Sequence, residues 1–294
     1  MTTTGVPSLV TAGLLWGTGG VLGTAFGDAA DLPPTAVAAC RLGGGGLLLV
    51  AYAIAGGTGR PTGLPALRRI VVIGLLAAVF QGAYFVATSL LGVAAATLVA
   101  IGSAPVVCVA VESFGARRRP DPIAVRTVAV GIVGLVFLVG APTGVAAGTA
   151  LLGSMTALLS GSSFAAITLV GRRPVDGLSE SAMTGWSFLL GGALLVAGPT
   201  VAGDLPAPTV TASSIVLLVA LAVIPTAAAY TFWFRGLRTS PASTAAVIGL
   251  LEPLTGTVLA MMVLGERLTM LGLIGAALLL VAVVDTSRPR AVRA

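Results

Sequence analysis

Charged residues are scarce in this sequence of 294 residues, and both lysine and histidine are missing. Only 9% of the residues are charged and 56% are hydrophobic, with a mean hydropathy of +1.06. Soluble domains have about 25% charged residues, so this composition indicates a protein that crosses the membrane several times. The net charge of +6 does not indicate a nucleic-acid partner, because the arginines lie almost entirely in short loops and at the C-terminus.

The missing residue types also exclude several kinds of chemistry. Without histidine, the chain lacks the commonest metal ligand and proton shuttle. The two cysteines, Cys40 and Cys108, are expected about 9 Å and about 20 Å below the outer surface, too far apart in depth for a disulfide. The sequence contains no nucleotide-binding P-loop, no acids with metal-ligand spacing and no catalytic constellation. We therefore expect neither an enzyme nor an ATP-driven pump, and neither a metal nor another cofactor.

Ten apolar segments are long enough to cross the membrane as helices. The stretches between them contain Gly, Pro, Asp and Arg, which are typical of loops and helix ends. The predicted spans are residues 7–26, 34–55, 70–89, 94–114, 122–140, 148–170, 181–201, 213–234, 242–263 and 268–284. We predict an all-α membrane protein with five helices in residues 1–143 and five in residues 144–294.

The arginines predict how the chain is oriented. Of the 16 arginines, 14 lie in alternate loops, next to these loops or in the C-terminal tail. The two exceptions are Arg41, inside a span, and Arg267, beside Glu266. Under the positive-inside rule, this side and both termini are cytoplasmic. Arginine without lysine, together with abundant Ala and Gly, is typical of a GC-rich bacterial genome. We therefore expect a bacterial cytoplasmic membrane.

The two halves of the chain share a weak pattern. Tyr84 precedes Pro105 by 21 residues, and Tyr230 precedes Pro253 by 23 residues. Each proline lies in the fourth predicted helix of its half. Because each half has an odd number of helices, the second half must be inverted in the membrane. Inverted repeats are typical of secondary transporters, in which the substrate binds near the midplane between the repeats.

Glu252 is the leading candidate for a functional residue. It lies ten residues after Ala242, the start of the ninth span, which is about 15 Å along a helix and near the middle of the bilayer. A charge there costs about 2.5–3.5 kcal/mol, so the carboxylate must be protonated, paired or hydrated. The alternative is a structural acid that hydrogen bonds to a neighbouring helix. Pro253 beside it, and Pro105 in the first half, predict helix breaks.

Three groups of residues resemble the EamA-type transporters of the drug/metabolite transporter superfamily, over nearly the whole chain. They are Leu14-Leu15-Trp16-Gly17, Arg41 followed by Leu47-Leu48-Leu49, and Leu251-Glu252-Pro253-Leu254 followed by Leu264-Gly265-Glu266-Arg267-Leu268-Thr269. The resemblance implies ten helices in two halves and the export of amino acids or other small metabolites. The halves differ chemically, because Ala104 and Ala116 stand where the second half has Glu252 and Glu266.

Arg41 and a set of aromatic and polar residues complete the candidate pathway. Arg41 lies about two turns into the second span, where it could pair with Glu252, bind a substrate carboxylate or extend to the membrane surface. The candidates for the cavity wall are Trp16, Gln81, Tyr84, Trp186 and Tyr230. By contrast, Trp233 near a span end is expected to anchor the membrane interface. Glu112 is expected to pair with Arg117 or Arg118, and Glu266 with Arg267 to shape the outer turn.

These features predict a secondary transporter that exports amino acids or related small metabolites by alternating access. Arg41 suits a substrate carboxylate, whereas the single midplane acid Glu252 suits a cation. An efflux carrier for cationic or amphipathic drugs and a passive uniporter therefore stay open as alternatives. A membrane transferase is disfavoured because the loops have few acids or nucleophiles, and a non-transporting scaffold has no use for Glu252. The expected partners are the lipid bilayer, a small-molecule substrate and, if transport is coupled, protons.

Overall fold

The structure is a computed structural model and describes residues 5–139, 146–202, 207–264 and 269–288. Most of these residues lie in helices. The helices are α1 (Val6–Ala30), α2 (Pro34–Ala55), α3 (Gly63–Leu91), α4 (Val93–Gly115), α5 (Pro122–Val139), α6 (Ala147–Gly171), α7 (Glu180–Ala202), α8 (Ala212–Ala222), α9 (Ala229–Leu237), α10 (Ala242–Ile248), α11 (Leu251–Leu264) and α12 (Met270–Ser287). A π-helical segment, Val223–Ala228, joins α8 to α9.

Ten helical stretches among the described residues are long and apolar enough to cross a membrane. The eighth joins α8, the π-helical segment and α9, and the ninth joins α10 and α11 across a short turn. Each of the others is a single helix. The prediction of an all-α membrane protein with ten spans is therefore confirmed.

The largest difference from the predicted boundaries is at α3, which begins at Gly63, seven residues before the predicted start at residue 70. The added turns contain Arg69, whose Nη1 donates to the carbonyl oxygens of Val170 and Arg173 at 2.6 Å each. These carbonyl groups lie at the C-terminal end of α6, where a helix leaves its carbonyl groups without partners and favours a cation. A contact between distant segments thus extends α3 beyond its apolar stretch.

The arginine-bearing loops meet at one end of the bundle, which we call the basic end: residues 56–62, 116–121, 172–179 and 238–241. The backbone N–H of Thr62 donates to the carbonyl oxygen of Gly177 at 3.2 Å, joining the second and sixth loops. Arg172 pairs with Glu112 at the end of α4, at 3.4 Å. Two further ion pairs lie at this end, Arg238 with Glu180 and Arg126 with Asp285. The alternation of charge along the sequence therefore corresponds to two chemically different ends of one bundle.

At the opposite end, the first and seventh loops meet, because the N–H of Thr209 donates to the carbonyl oxygen of Ala30 at 2.8 Å. The outer turn expected at Glu266 and Arg267 lies outside the described residues. Both cysteines are free thiols, as predicted: Cys40 is partly buried and Cys108 is fully buried.

The two repeats interleave, because the principal helix contacts are α2 with α7, α3 with α6, α5 with α12 and α1 with α11. Glycine permits these close contacts. A Cβ atom on Gly46 would lie 2.8 Å from the carbonyl oxygen of Gly185, and one on Gly134 would lie 2.9 Å from that of Gly275. Lipid gives helices no hydrophobic reason to associate, so such close packing contributes much of their attraction. The centre of the molecule is thus formed by helices from both repeats.

Candidate functional site

The ninth span is interrupted directly before Glu252. α10 ends at Ile248, the residues Gly249 and Leu250 form a turn, and α11 begins at Leu251. Glu252 therefore lies in the first turn of α11, and its N–H donates to the carbonyl oxygen of Gly249 at 3.0 Å. The break was expected at Pro253. This proline instead lies in the first turn, where an N–H group has no partner within the helix and its loss costs little.

The break expected at Pro105 is not present, because α4 continues from Val93 to Gly115 through this proline. Ala104 and Cys108, on either side of Pro105, pack against Ala242 and Ala246 of α10 in a buried cluster. Membrane helices tolerate proline where neighbouring helices enclose the loosened backbone. The two repeats therefore differ here, with a continuous fourth span and an interrupted ninth span.

The guanidinium group of Arg41 lies inside the bundle, near α1 and the eighth span. A Cβ atom on Gly19 would lie 3.5 Å from its Nη1, and the Arg41 side chain lies close to Tyr230, with which it interacts electrostatically. Its Nε is buried and has no hydrogen-bond partner among the described residues. A buried donor without an acceptor is costly, so this arrangement leaves Arg41 with unused capacity to bind an acceptor.

Arg41 and Glu252 belong to one group of interacting polar side chains. They interact electrostatically with each other and with both Tyr84 and Tyr230. No nitrogen of Arg41, however, lies within 4.0 Å of a Glu252 oxygen, so the two charges do not form a direct ion pair. Glu252 is partly exposed, even though it lies near the middle of its span. Tyr84 is held by Thr97 of α4, with 2.6 Å between the two hydroxyl oxygens.

A buried aromatic cluster packs beside these charges. Trp16 is its centre, with ring centroids 5.0 Å from Tyr230, 4.7 Å from Trp233 and 5.6 Å from Phe164. Tyr230 also contacts Phe188 edge to face, at 4.5 Å. Such contacts fix ring orientations and contribute about 0.5–1.5 kcal/mol per pair beyond burial. The cluster joins helices of both repeats and includes Tyr230, which interacts electrostatically with Arg41.

The remaining two candidates have different surroundings. Gln81 lies one turn before Tyr84 on α3 and is 5% exposed, and its amide forms no hydrogen bond to the described residues. Trp186 is 36% exposed, and its Nε1 donates to Gly59 at the basic end at 2.9 Å. The structure therefore groups Trp16, Arg41, Tyr84, Tyr230 and Glu252 but does not bring Trp186 to them.

The sequence model of the EamA-like transporter family matches the chain twice, over residues 3–140 and 151–288. The chain belongs to the EamA-like transporter family. It is 27% identical to the uncharacterized transporter YwfM of Bacillus subtilis over 282 residues, which are 95% of this chain and 92% of that protein. A protein crystal structure 23% identical in sequence has a TM-score of 0.81, over 97% of this chain and 96% of the other, and supports the fold.

This EamA-like transporter is therefore a multi-pass membrane transporter and not an enzyme. Its two family matches fall one in each half of the chain, in agreement with two five-helix repeats. Among the described residues, no group of three or more His, Cys, Asp or Glu side chains is placed to hold a metal ion.

The π-helical segment of the EamA-like transporter, Val223–Ala228, was not predicted from the sequence. The Thr226 hydroxyl donates to the carbonyl oxygen of Leu221 at 2.9 Å, and Pro225 packs against Gly19, the residue beside the Arg41 guanidinium. Segments of π-helix often occur at functional sites, because they widen the helix and redirect its side chains. Pro225 in the middle of an apolar span was the available signal.

Two expectations about the ends of helices were wrong. Trp233 does not lie at the membrane interface but is fully buried, packed on Trp16. Glu112 does not pair with Arg117 or Arg118. Its carboxylate instead contacts Arg172 and accepts hydrogen bonds from the first residues of α10, in the other repeat. Position near a span end suggested the wrong surroundings for Trp233, and proximity in sequence suggested the wrong partners for Glu112. The residues that contact them, Trp16 and Arg172, are 60 or more positions away along the chain.

Proposed function

We propose that this EamA-like transporter exports amino acids or related small metabolites from a bacterial cell by alternating access. The observation that carries the proposal is the Arg41 side chain, which lies inside the bundle with a buried, unpartnered Nε and no direct ion pair. Arg41 is only partly buried, but a cation inside a membrane-spanning bundle is costly unless an anion or several acceptors accompany it. A substrate carboxylate would supply that anion and can accept two parallel hydrogen bonds from a guanidinium group.

Glu252 extends this proposal from a carboxylate to an amino acid. It interacts electrostatically with Arg41 but lies beyond ion-pair distance. A zwitterion would place its carboxylate on Arg41 and its ammonium group on Glu252, which neutralises both protein charges. The aromatic cluster around Trp16 would then face the apolar part of the substrate. We propose Gln81 as a further polar residue of this pathway, since its amide has no partner among the described residues.

Glu252 also supports coupling to protons. A carboxylate in the first turn of a half-helix is favoured by the positive end of the helix dipole, while the apolar bilayer favours the protonated form. Alternating access would expose this residue to each side of the membrane in turn. Competition between a proton and a substrate ammonium group for one carboxylate would link export to proton entry.

We propose that the basic end of the bundle faces the cytoplasm, that both termini lie there, and that the repeats meet between residues 143 and 144. The support is the positive-inside rule applied to the arginine-bearing loops. In intact cells, single cysteines at Arg118→Cys and Arg173→Cys should be protected from a membrane-impermeant thiol reagent, whereas Val210→Cys should be labelled. Val210 is 74% exposed at the opposite end and provides the matched control. Labelling of Arg173→Cys from outside would reverse the orientation.

The transport proposal is tested with purified protein in liposomes that contain a mixture of the common amino acids. We expect one or more amino acids to leave these liposomes roughly tenfold faster than they leave liposomes without protein. Mass spectrometry of the external medium measures this release. Amide derivatives of that amino acid, which lack the carboxylate, should not compete. Release that is independent of a proton gradient would indicate a uniporter.

One alternative follows from the single acid at the centre of the site. If cationic or amphipathic drugs cross the liposome membrane through the protein and amino acids do not, then Glu252 is the main substrate contact and the amino-acid proposal is wrong. Arg41 would in that case have a structural role.

A further inference from the structure

We propose that Glu112 holds α10 against α4 and so closes the transport pathway at the basic end. In the resting protein, Glu252 is then not accessible from the basic end. This inference rests on the alternating access proposed above and adds a gate to it. Oε1 of Glu112 accepts a hydrogen bond from the N–H of Ala242 at 2.8 Å, and Oε2 accepts one from the N–H of Ser243 at 3.2 Å. Arg172 Nη1 lies 3.4 Å from Oε1. One carboxylate of the first repeat thus has three partners in the second.

The position of α10 in the chain gives this contact its importance. Its last residue, Ile248, is followed by the turn at Gly249 and Leu250 and then by Glu252. A movement of α10 away from α4 would therefore open a route from the basic end towards Glu252. The polar contacts that Arg69 and Trp186 make between the repeats at this end join different helices and do not involve α10. α10 also makes apolar contacts with the first repeat, to α4 and α5.

The accessibility of the two half-helices indicates which side is closed. α10 lies between the basic end and the break at Gly249 and Leu250, and five of its seven residues are buried. Its residues Ala242 and Ala246 pack against Ala104 and Cys108 of α4. On the other side of the break, Glu252 and Thr255 to Thr257 are partly exposed. The site is therefore covered on the side of the basic end by the segment that Glu112 holds.

The opposite end has no equivalent carboxylate at the corresponding position. Aligning Phe114-Gly115-Ala116 with residues 264–266 places Met262 where the first repeat has Glu112. Met262 is an apolar residue that is 78% exposed. Glu112 thus stabilises closure of one end without a matching contact at its symmetry-related position. Such a one-sided interaction shifts the equilibrium between the two access states by its own free energy.

The chain carries a natural reporter for this gate. Cys108 lies one turn before Glu112 on α4, is 0% exposed and packs against α10. In a Cys40→Ala background, the rate at which N-ethylmaleimide modifies Cys108 measures how often the basic end opens. We expect slow modification in the otherwise unchanged protein and roughly tenfold faster modification with Glu112→Gln, as for the loss of one charge-assisted hydrogen bond. Arg172→Gln should have a smaller effect in the same direction, because the two N–H contacts remain.

The matched control is Arg238→Gln, which removes an ion pair at the same end but within the second repeat. It should leave the Cys108 modification rate unchanged. Equal acceleration by Arg238→Gln, or no acceleration by Glu112→Gln, would overturn the proposal. If Glu112→Gln does not elute as a folded protein in size-exclusion chromatography, Arg172→Gln decides, and its failure to accelerate modification overturns the proposal. The assay needs no substrate, so the gate and the proposed amino-acid transport can fail independently.

Discussion

Replacing Glu252 by glutamine should leave the protein folded in the membrane but reduce transport at least roughly tenfold, the effect of losing one charge-assisted interaction. Glutamine has nearly the same shape, and the backbone hydrogen bond from residue 252 to Gly249 does not involve the side chain. The substitution removes the negative charge that would bind a substrate ammonium group and the group that would exchange a proton. Any dependence of flux on pH in the neutral range should therefore flatten.

The measurement is flux through proteoliposomes over a pH series at matched protein levels, for the unchanged protein, Glu252→Gln and Glu180→Gln. Glu180 is an acid at the basic end whose partner is Arg238, so its replacement controls for the loss of a carboxylate elsewhere. Unchanged flux and an unchanged pH profile in Glu252→Gln would exclude this residue from the mechanism. Lost flux without any pH dependence in the unchanged protein would instead make Glu252 a substrate contact in a uniporter.

The membrane-spanning architecture was predictable from sequence because the bilayer imposes strong and simple requirements. Each span needs about twenty apolar residues, and arginine is retained on one side, so hydropathy and charge gave the ten spans independently. The EamA-type resemblance was carried by short motifs at Trp16, Arg41 and Glu252. These three residues do lie together in the folded chain, grouped through Tyr230. A charge placed deep in an apolar span is a strong signal, because little except function or pairing can retain it.

The details that sequence could not provide depend on contacts between distant segments. The break in the ninth span lies at Gly249 and Leu250 rather than at Pro253. Glu112 binds the start of α10 through hydrogen bonds from residues that are 130 and 131 positions away along the chain. From the sequence Trp233 resembles an interface anchor, but in the fold it is buried by Trp16 of α1 and Phe164 of α6. Periodicity and composition describe how each helix meets lipid, but not which side chains meet inside the bundle.

The interrupted ninth span also explains how a carboxylate can function in the bilayer. The turn at Gly249 and Leu250 ends one half-helix and begins the next, near Glu252 in the first turn of α11. Discontinuous helices in transporters commonly direct such ends at the substrate or the coupling ion. In the first repeat α4 is continuous and has Ala104 at the equivalent position, so only one repeat supplies this chemistry. Arg41, from the first repeat, supplies the opposite charge.

Replacing Arg41 should therefore reduce transport as much as replacing Glu252. The size and kind of the loss should depend on which residue takes the place of the arginine. Arg41→Gln removes the charge and should reduce flux roughly tenfold to hundredfold, as for the loss of a charged hydrogen-bonding partner worth about 1.5–3 kcal/mol. Arg41→Lys keeps the charge but loses the planar group that binds a carboxylate at two points. We expect it to raise KM for the amino acid more than it lowers the maximal rate.

The matched control for Arg41→Lys is Arg126→Lys, because Arg126 is exposed at the basic end and pairs with Asp285 there. This control should transport normally. The two variants at Arg41 then separate three roles for this residue. Normal transport by Arg41→Gln would mean that Arg41 neither binds the substrate nor supports the site. Equal loss in Arg41→Lys and Arg41→Gln, together with lowered thermal stability in both, would indicate a structural role through Tyr230. A raised KM in Arg41→Lys at unchanged thermal stability is the result that only direct binding of a substrate carboxylate predicts, because charge alone does not provide the two-point contact.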